Sequence, residues 1–162
     1  MTPMKKLKLY IETSVWSHLF ATDAPDARQT AEKLFTEIAD YEIFVSDLVF
    51  QELERTPNDV LRKKLRESIE HYQPQVLVAE EDANILVKRY IESGVIPPAA
   101  RDDAIHIATA VVEDLDVVVS LNMRHIVRVR TRMGINGVNK IEGFREIEIA
   151  TPAEVIKYAE EL

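Results

Sequence analysis

The segment Asp116-Val117-Val118-Val119-Ser120-Leu121-Asn122 decides the fold. Three consecutive β-branched residues make it the most strand-prone run in the chain. Being apolar on both alternating faces, it reads as a strand covered on both sides, as in parallel sheets. Before it, Ala99 to Asp114 predicts a helix whose middle, Ala104 to Val112, is apolar on nearly every side and therefore buried. Further outward, Lys8 to Ile11, Tyr41 to Val45, Gln75 to Val78 and Glu146 to Ile149 read as strands, the last with the alternating polarity of an edge. Helical periodicity or start signals mark Val15 to Phe20, Ala27 to Ala39, a segment around Leu48 to Leu53, a charged helix ending near Tyr72, and Glu80 to Glu92. Thr151-Pro152-Ala153-Glu154 combines an N-cap, an N1 proline and a capping-box glutamate for a terminal helix. Ala21 to Asp26 reads as a loop, the arginine-bearing stretch to Met133 as a short helix or loop, and Gly134 to Lys140 as a turn-rich connector. Helices alternate with strands and no hairpin signal occurs. The pattern predicts an α/β fold, a three-layer α/β/α sandwich with a mainly parallel central sheet of about five strands, formed as a single domain over residues 1–162.

Composition bounds the function. A chain of 162 residues buries about 70% of its unfolded surface, enough for a core without metal or disulfide staples. With 46% hydrophobic and 30% charged residues, four glycines and seven prolines, collagen-like, low-complexity and disordered classes are excluded. There is no cysteine, so thiolate metal sites and a cysteine nucleophile are excluded too. No apolar run reaches membrane-span length, and Leu7-Lys8-Leu9 is too short for a signal-peptide core, so a soluble cytoplasmic protein with no membrane partner is expected. The net charge of −8 argues against a nucleic-acid partner, but its distribution softens that. No carboxylate lies between Asp116 and Glu142, a stretch holding Arg124, Arg128, Arg130, Arg132 and Lys140.

Ligands of open parallel sheets bind beyond the carboxyl ends of the strands, which directs attention to Glu12, Asp47 and Asn122. Two further acids sit on otherwise apolar helical stripes: Glu52 beside Leu48 and Val49, and Asp103 beside Ile107 and Ala110. A carboxylate facing inward is costly unless compensated. No glycine-rich phosphate loop, serine elbow or histidine pair at metal spacing is present. What remains is a set of oxygen ligands, Glu12, Glu52, Asp103 and Asn122, suited to a hard cation such as Mg²⁺ or Mn²⁺. Such an ion would offset carboxylate repulsion of roughly 4 kcal/mol per pair at about 4 Å and would suit phosphodiester hydrolysis.

Four stretches carry a resemblance. Tyr10-Ile11-Glu12-Thr13-Ser14, Ser46 to Leu53, Asp102-Asp103-Ala104-Ile105-His106-Ile107-Ala108, and Val117 to Asn122 resemble, in order, the successive motifs of PIN-domain nucleases, covering about residues 7 to 156. The resemblance implies a Mg²⁺- or Mn²⁺-dependent endoribonuclease, with Glu12, Glu52 and Asp103 as metal ligands, Ser14 as a nearby hydroxyl and Asn122 in the place of a further acid. It also implies likeness to VapC-type toxins, which dimerise and are silenced by an antitoxin. Two departures stand out: Glu12 is one methylene longer than the family's aspartate, and Asn122 carries no charge, which weakens binding of a second metal. They leave open a catalytically weak PIN-like module that binds RNA or an antitoxin.

Each residue also has a plainer reading. Glu12 could be a solvated strand-end acid, Glu52 a surface glutamate beside Glu54 and Arg55, and Asn122 the N-cap of the next helix. Asp102 reads as a first-turn acid favouring the helix dipole, and Asp116 as structural. Arg124 and Arg128 are candidate RNA-backbone contacts, or equally a solvated or interface face. Trp16 and Phe20 read as core or dimer contacts, and His106 and His125 as ordinary polar residues.

Overall fold

A computed structural model describes residues 5–122 and 128–157 of the chain. Five strands, β1 (Lys8–Ile11), β2 (Glu42–Ser46), β3 (Gln75–Leu77), β4 (Val117–Val119) and β5 (Glu148–Ala150), form one sheet in the order β3-β2-β1-β4-β5. Every pairing is parallel. The β-branched run lies second from one edge, and all three of its residues are buried. Its neighbour β1 is buried at Leu9, Tyr10 and Ile11. β3 and β5 are the edges, and the exposed Gln75 and Val76 of β3 reflect it.

Eight helices connect and flank the strands among the described residues. α1 (Thr13–His18) and α2 (Pro25–Thr36) lead to β2, and α3 (Asp47–Glu54) and α4 (Asp59–Tyr72) lead to β3. α5 (Glu81–Glu92) and α6 (Arg101–Val112) lead back to β4, α7 (Val129–Ile141) precedes β5, and α8 (Pro152–Val155) follows it. The chain moves from β1 outward through β2 to β3, then returns to the other side of β1. Right-handed crossovers place helices made in opposite directions on opposite faces. The packing follows: α1, α2, α3, α4 and α8 contact one another, and α5 contacts α6 and α7. The result is the expected three-layer α/β/α sandwich, and the strand order reverses between β1 and β4.

Trp16 is fully buried on the first face. Its indole N–H donates to the Ile11 carbonyl, and its ring packs on Phe35 at 4.8 Å between centroids, so it belongs to the core. At the far end of the sheet, Asp116 accepts from the Lys8 N–H and from Arg145, a structural clamp that joins the starts of β1 and β4.

Several local expectations are corrected. Pro25 opens α2 at its first turn instead of sitting in a loop, where its missing N–H costs nothing. The expected connector Gly134 to Lys140 is helical, inside α7. There Ile135 and Asn139 are buried, and a Cβ on Gly134 would come within 2.9 Å of Val95 Cγ1. The glycine permits a close approach and does not break the helix. Helix α7 starts after Arg128, so Asn122 is not its N-cap. Asn136 on α7 accepts from the Ile147 N–H and donates to the Ile147 carbonyl, covering the backbone beside edge strand β5.

Candidate functional site

The turn in strand order opens a crevice at the carboxyl ends of β1 and β4, where open α/β sheets hold their ligands. Glu12 follows β1 directly and is 4% exposed, so it is no solvated strand-end acid. Its side chain caps α1 by accepting the Ser14 N–H at 3.1 Å. The same oxygen, Oε2, also accepts Ser14 Oγ at 2.5 Å and Ser120 Oγ, just beyond β4, at 2.8 Å. Three donors on one oxygen hold a buried charge that would otherwise be costly. Oε1 has no hydrogen-bond partner among the described residues.

Glu52 reaches the same crevice from α3, whose buried stripe of Leu48, Val49 and Leu53 sets the helix against the sheet. Its Oε1 accepts Thr13 Oγ1 at 2.7 Å and pairs with His106 Nε2 at 2.5 Å. Oε2 has no hydrogen-bond partner among the described residues. Burial opposes ionisation of Glu52, but the hydrogen bond from His106, the Thr13 hydroxyl and the charge of Arg55 outweigh it and hold the carboxyl below its usual value. Candidate ligand atoms of Glu12, Glu52 and His106 all lie within 4.8 Å of one another. Two residues separated by forty positions thus bring their carboxylates together at the strand-order reversal.

Asp103 lies outside that trio. It stands on α6 one turn before His106, on the same helical side, and lines an open cleft with Pro97, Ala99 and Ala100. Its neighbour Asp102 is exposed and pairs with Arg55 at 3.6 Å, tying the start of α6 to the end of α3. Asn122 is exposed, and its backbone N–H donates to Ser120 Oγ at 3.2 Å, one hydrogen bond from Glu12. Ser14 is buried against Glu12 and also accepts the Leu121 N–H. Arg128 is exposed immediately before α7, whereas Arg124 and His125 lie outside the described residues.

His106 is not an ordinary polar residue. It is fully buried, with Nε2 on Glu52 and Nδ1 at 2.5 Å from the Tyr10 hydroxyl. Tyr10 in turn meets Ser46 Oγ at 2.7 Å, and Ser46, at the N-cap position of α3, makes no side-chain cap bond to that helix. The signal in the sequence was a histidine on a helix apolar on every other side, where an unpaired imidazole would be costly. Which partner it meets depends on the fold. Thr13 and Ser120 were equally unmarked.

A divalent cation fits this donor set. Each carboxylate is oriented through one oxygen and leaves the other unpartnered, and oxygen donors match Mg²⁺ and Mn²⁺. Oxygens of two ionised carboxylates this close repel by about 3–4 kcal/mol at an effective dielectric near 20, which a cation would reverse.

Fold and site together define a doubly wound α/β protein with a paired-carboxylate, cation-compatible crevice where its strand order reverses. The family model described as PIN domain matches residues 9–130, and the chain belongs to the PIN-domain family. Among solved structures it is similar to VapC20 of Mycobacterium tuberculosis, described as a sarcin-ricin-loop-cleaving toxin. The TM-score is 0.58 at 14% identity, over 86% of this chain and 98% of that one. It is also similar to VapBC2 of Rickettsia felis, solved bound to a DNA fragment from their promoter. Here the TM-score is 0.55 at 12% identity, over 90% and 98% of the two chains. At these identities the likeness is one of fold. No curated protein sequence matches. Among the described residues no helix is long and apolar enough to cross a membrane.

Proposed function

We propose that this protein is a Mg²⁺- or Mn²⁺-dependent endoribonuclease. Glu12 and Glu52 supply carboxylate ligands, Asp103 a third acid from the start of α6, and Ser14 and Asn122 shape the surrounding hydrogen bonds. The observation that carries the proposal is the meeting of Glu12 and Glu52 at the end of β1, each with one oxygen anchored and one unpartnered. A bound divalent ion would lower the pKa of a coordinated water and steady charge on the departing oxygen. The chain's own part is to fix the two carboxylates through the hydroxyls of Thr13, Ser14 and Ser120, and to keep Glu52 ionised through its hydrogen bond to His106. Arg128, with Arg124, would contact the RNA backbone. By likeness of fold to VapC structures, the protein would serve as the toxin of a toxin-antitoxin pair, a cytoplasmic homodimer silenced by its antitoxin. The whole chain is one functional domain in this reading.

The test is cleavage of single-stranded RNA by the purified protein with Mn²⁺ and with EDTA. Cleavage that requires the metal and disappears in Glu12→Gln, Glu52→Gln and Asp103→Asn supports the proposal. Cation binding without cleavage would instead leave a weak RNA- or antitoxin-binding module.

A further inference from the structure

Ser46, Tyr10 and His106 are each fully buried, and their polar atoms form one continuous chain ending on Glu52. The chain crosses from β2 to β1 to α6 to α3, joining residues 36, 96 and 54 positions apart. Three buried polar side chains are a costly substitute for apolar packing, so their presence calls for a purpose beyond filling the core. The carboxylate end of the chain sets the direction of the bonds. An ionised carboxylate oxygen only accepts, so the contact between His106 Nε2 and Glu52 Oε1 requires the imidazole proton on Nε2. In the neutral ring Nδ1 then accepts from the Tyr10 hydroxyl, which leaves that hydroxyl to accept from Ser46 Oγ. With both ring nitrogens engaged, His106 has no lone pair left for a cation.

We propose that His106 is a positioning residue, locked by Tyr10 and Ser46 into the tautomer that donates to Glu52 Oε1, so that Glu52 presents its other oxygen to the divalent cation. The inference rests on the cation-binding reading of the crevice and deepens it: the imidazole lies next to the ion's ligand and is not a ligand itself. Thr13 donates to the same Glu52 oxygen, so the carboxylate is fixed by two donors on one atom. Residues that orient a metal ligand through a hydrogen bond typically contribute about 10–100-fold in metal affinity.

The experiment is Mn²⁺ titration followed by electron paramagnetic resonance, on the wild type, Glu52→Gln, His106→Leu, His106→Gln and Tyr10→Phe, each checked for native circular dichroism. Leucine fills the ring's space without a donor, whereas glutamine carries an amide N–H at a similar reach to Nε2. The expected result is a fall in Mn²⁺ affinity of about 10–100-fold in His106→Leu, most of it restored in His106→Gln, and a smaller loss in Tyr10→Phe. Spin-echo spectra of the wild type should carry no coupling from a directly bound nitrogen. Wild-type affinity in His106→Leu, equal loss in the leucine and glutamine variants, or a directly bound nitrogen overturns the positioning role while the carboxylate site stands. No Mn²⁺ binding to the wild type removes the site itself, and this role with it. If the leucine variant does not fold, unchanged affinity in Tyr10→Phe overturns the proposal.

Discussion

Ser120 Oγ donates to Glu12 Oε2 at 2.8 Å, joining residues 108 positions apart across the carboxyl ends of β4 and β1. The bond is one of three accepted by a carboxylate 4% exposed, and Ser120 itself is fully buried. Ser120→Ala removes one charge-assisted bond, worth about 1.5–3 kcal/mol. The expected outcome is a thermal midpoint lower by roughly 3–10 °C and a weaker stabilisation by Mn²⁺. Differential scanning fluorimetry with and without the ion measures both, and an unchanged midpoint would show that Ser14 alone suffices to hold Glu12.

The clamp at the opposite end of the sheet makes stability depend on pH. Burial raises the cost of ionising Asp116, but the Lys8 N–H and Arg145 outweigh it, so its folded pKa lies below the ordinary 3.8. In acid, the unfolded chain therefore binds a proton more readily than the folded one, and stability rises with pH there. The contribution is complete above the unfolded value and disappears as pH falls through the folded one. Asp116→Asn keeps an acceptor for Lys8 but loses the ion pair. It should cost about 1 kcal/mol at neutral pH and flatten the acid limb of a urea-midpoint curve recorded between about pH 2 and 7. A parallel acid limb in the variant would assign that pH dependence to other groups.

Much of this arrangement is legible in the residues, and the remainder is absent for definable reasons. Strand β4 is visible because three consecutive valines fit only a strand covered on both faces, and Glu12 is visible because it ends the β1 run. Glu52 can be inferred from its place beside Leu48 and Val49 on an inward stripe. The order of the strands cannot be, because periodicity says which segments are strands and nothing about which neighbours they take. The meeting of Tyr10 with His106, 96 positions apart, depends on that order, so the imidazole's role is hidden until the sheet is assembled. Helix α7 is obscured differently: Gly134 and Gly137 mimic a turn, and the reason for Gly134 is Val95, a contact from a distant segment.

Edge strand β5 should be vulnerable where Asn136 shields it. The amide satisfies both backbone groups of Ile147 and accepts from Asn139, which receives the buried Tyr90 hydroxyl bond. Asn136→Ala leaves these groups unpaired at a sheet margin, at a cost of about 1–3 kcal/mol, and opens backbone that another chain can pair with. Light scattering on heating should show earlier aggregation than in the wild type. An aggregation onset that does not move would mean that Arg132, whose guanidinium donates to the Ile149 carbonyl, guards the edge unaided.

The two glycines of α7 should respond in opposite directions to the same substitution. Alanine is favoured over glycine inside a helix by about 1 kcal/mol. At Gly137 an added Cβ meets nothing within 4 Å, so Gly137→Ala should raise stability by about 0.5–1 kcal/mol. At Gly134 the same carbon would lie 2.9 Å from Val95 Cγ1. That methyl belongs to a β-branched side chain with few alternative rotamers, so relief requires α7 to shift from its seat on α5. Overpacking of this kind costs about 1–3 kcal/mol and outweighs the gain in helix propensity. Urea denaturation of the two variants beside the wild type should therefore place Gly137→Ala above it and Gly134→Ala below. Equal stabilisation by both would mean that the glycine at 134 is not set by close packing against Val95.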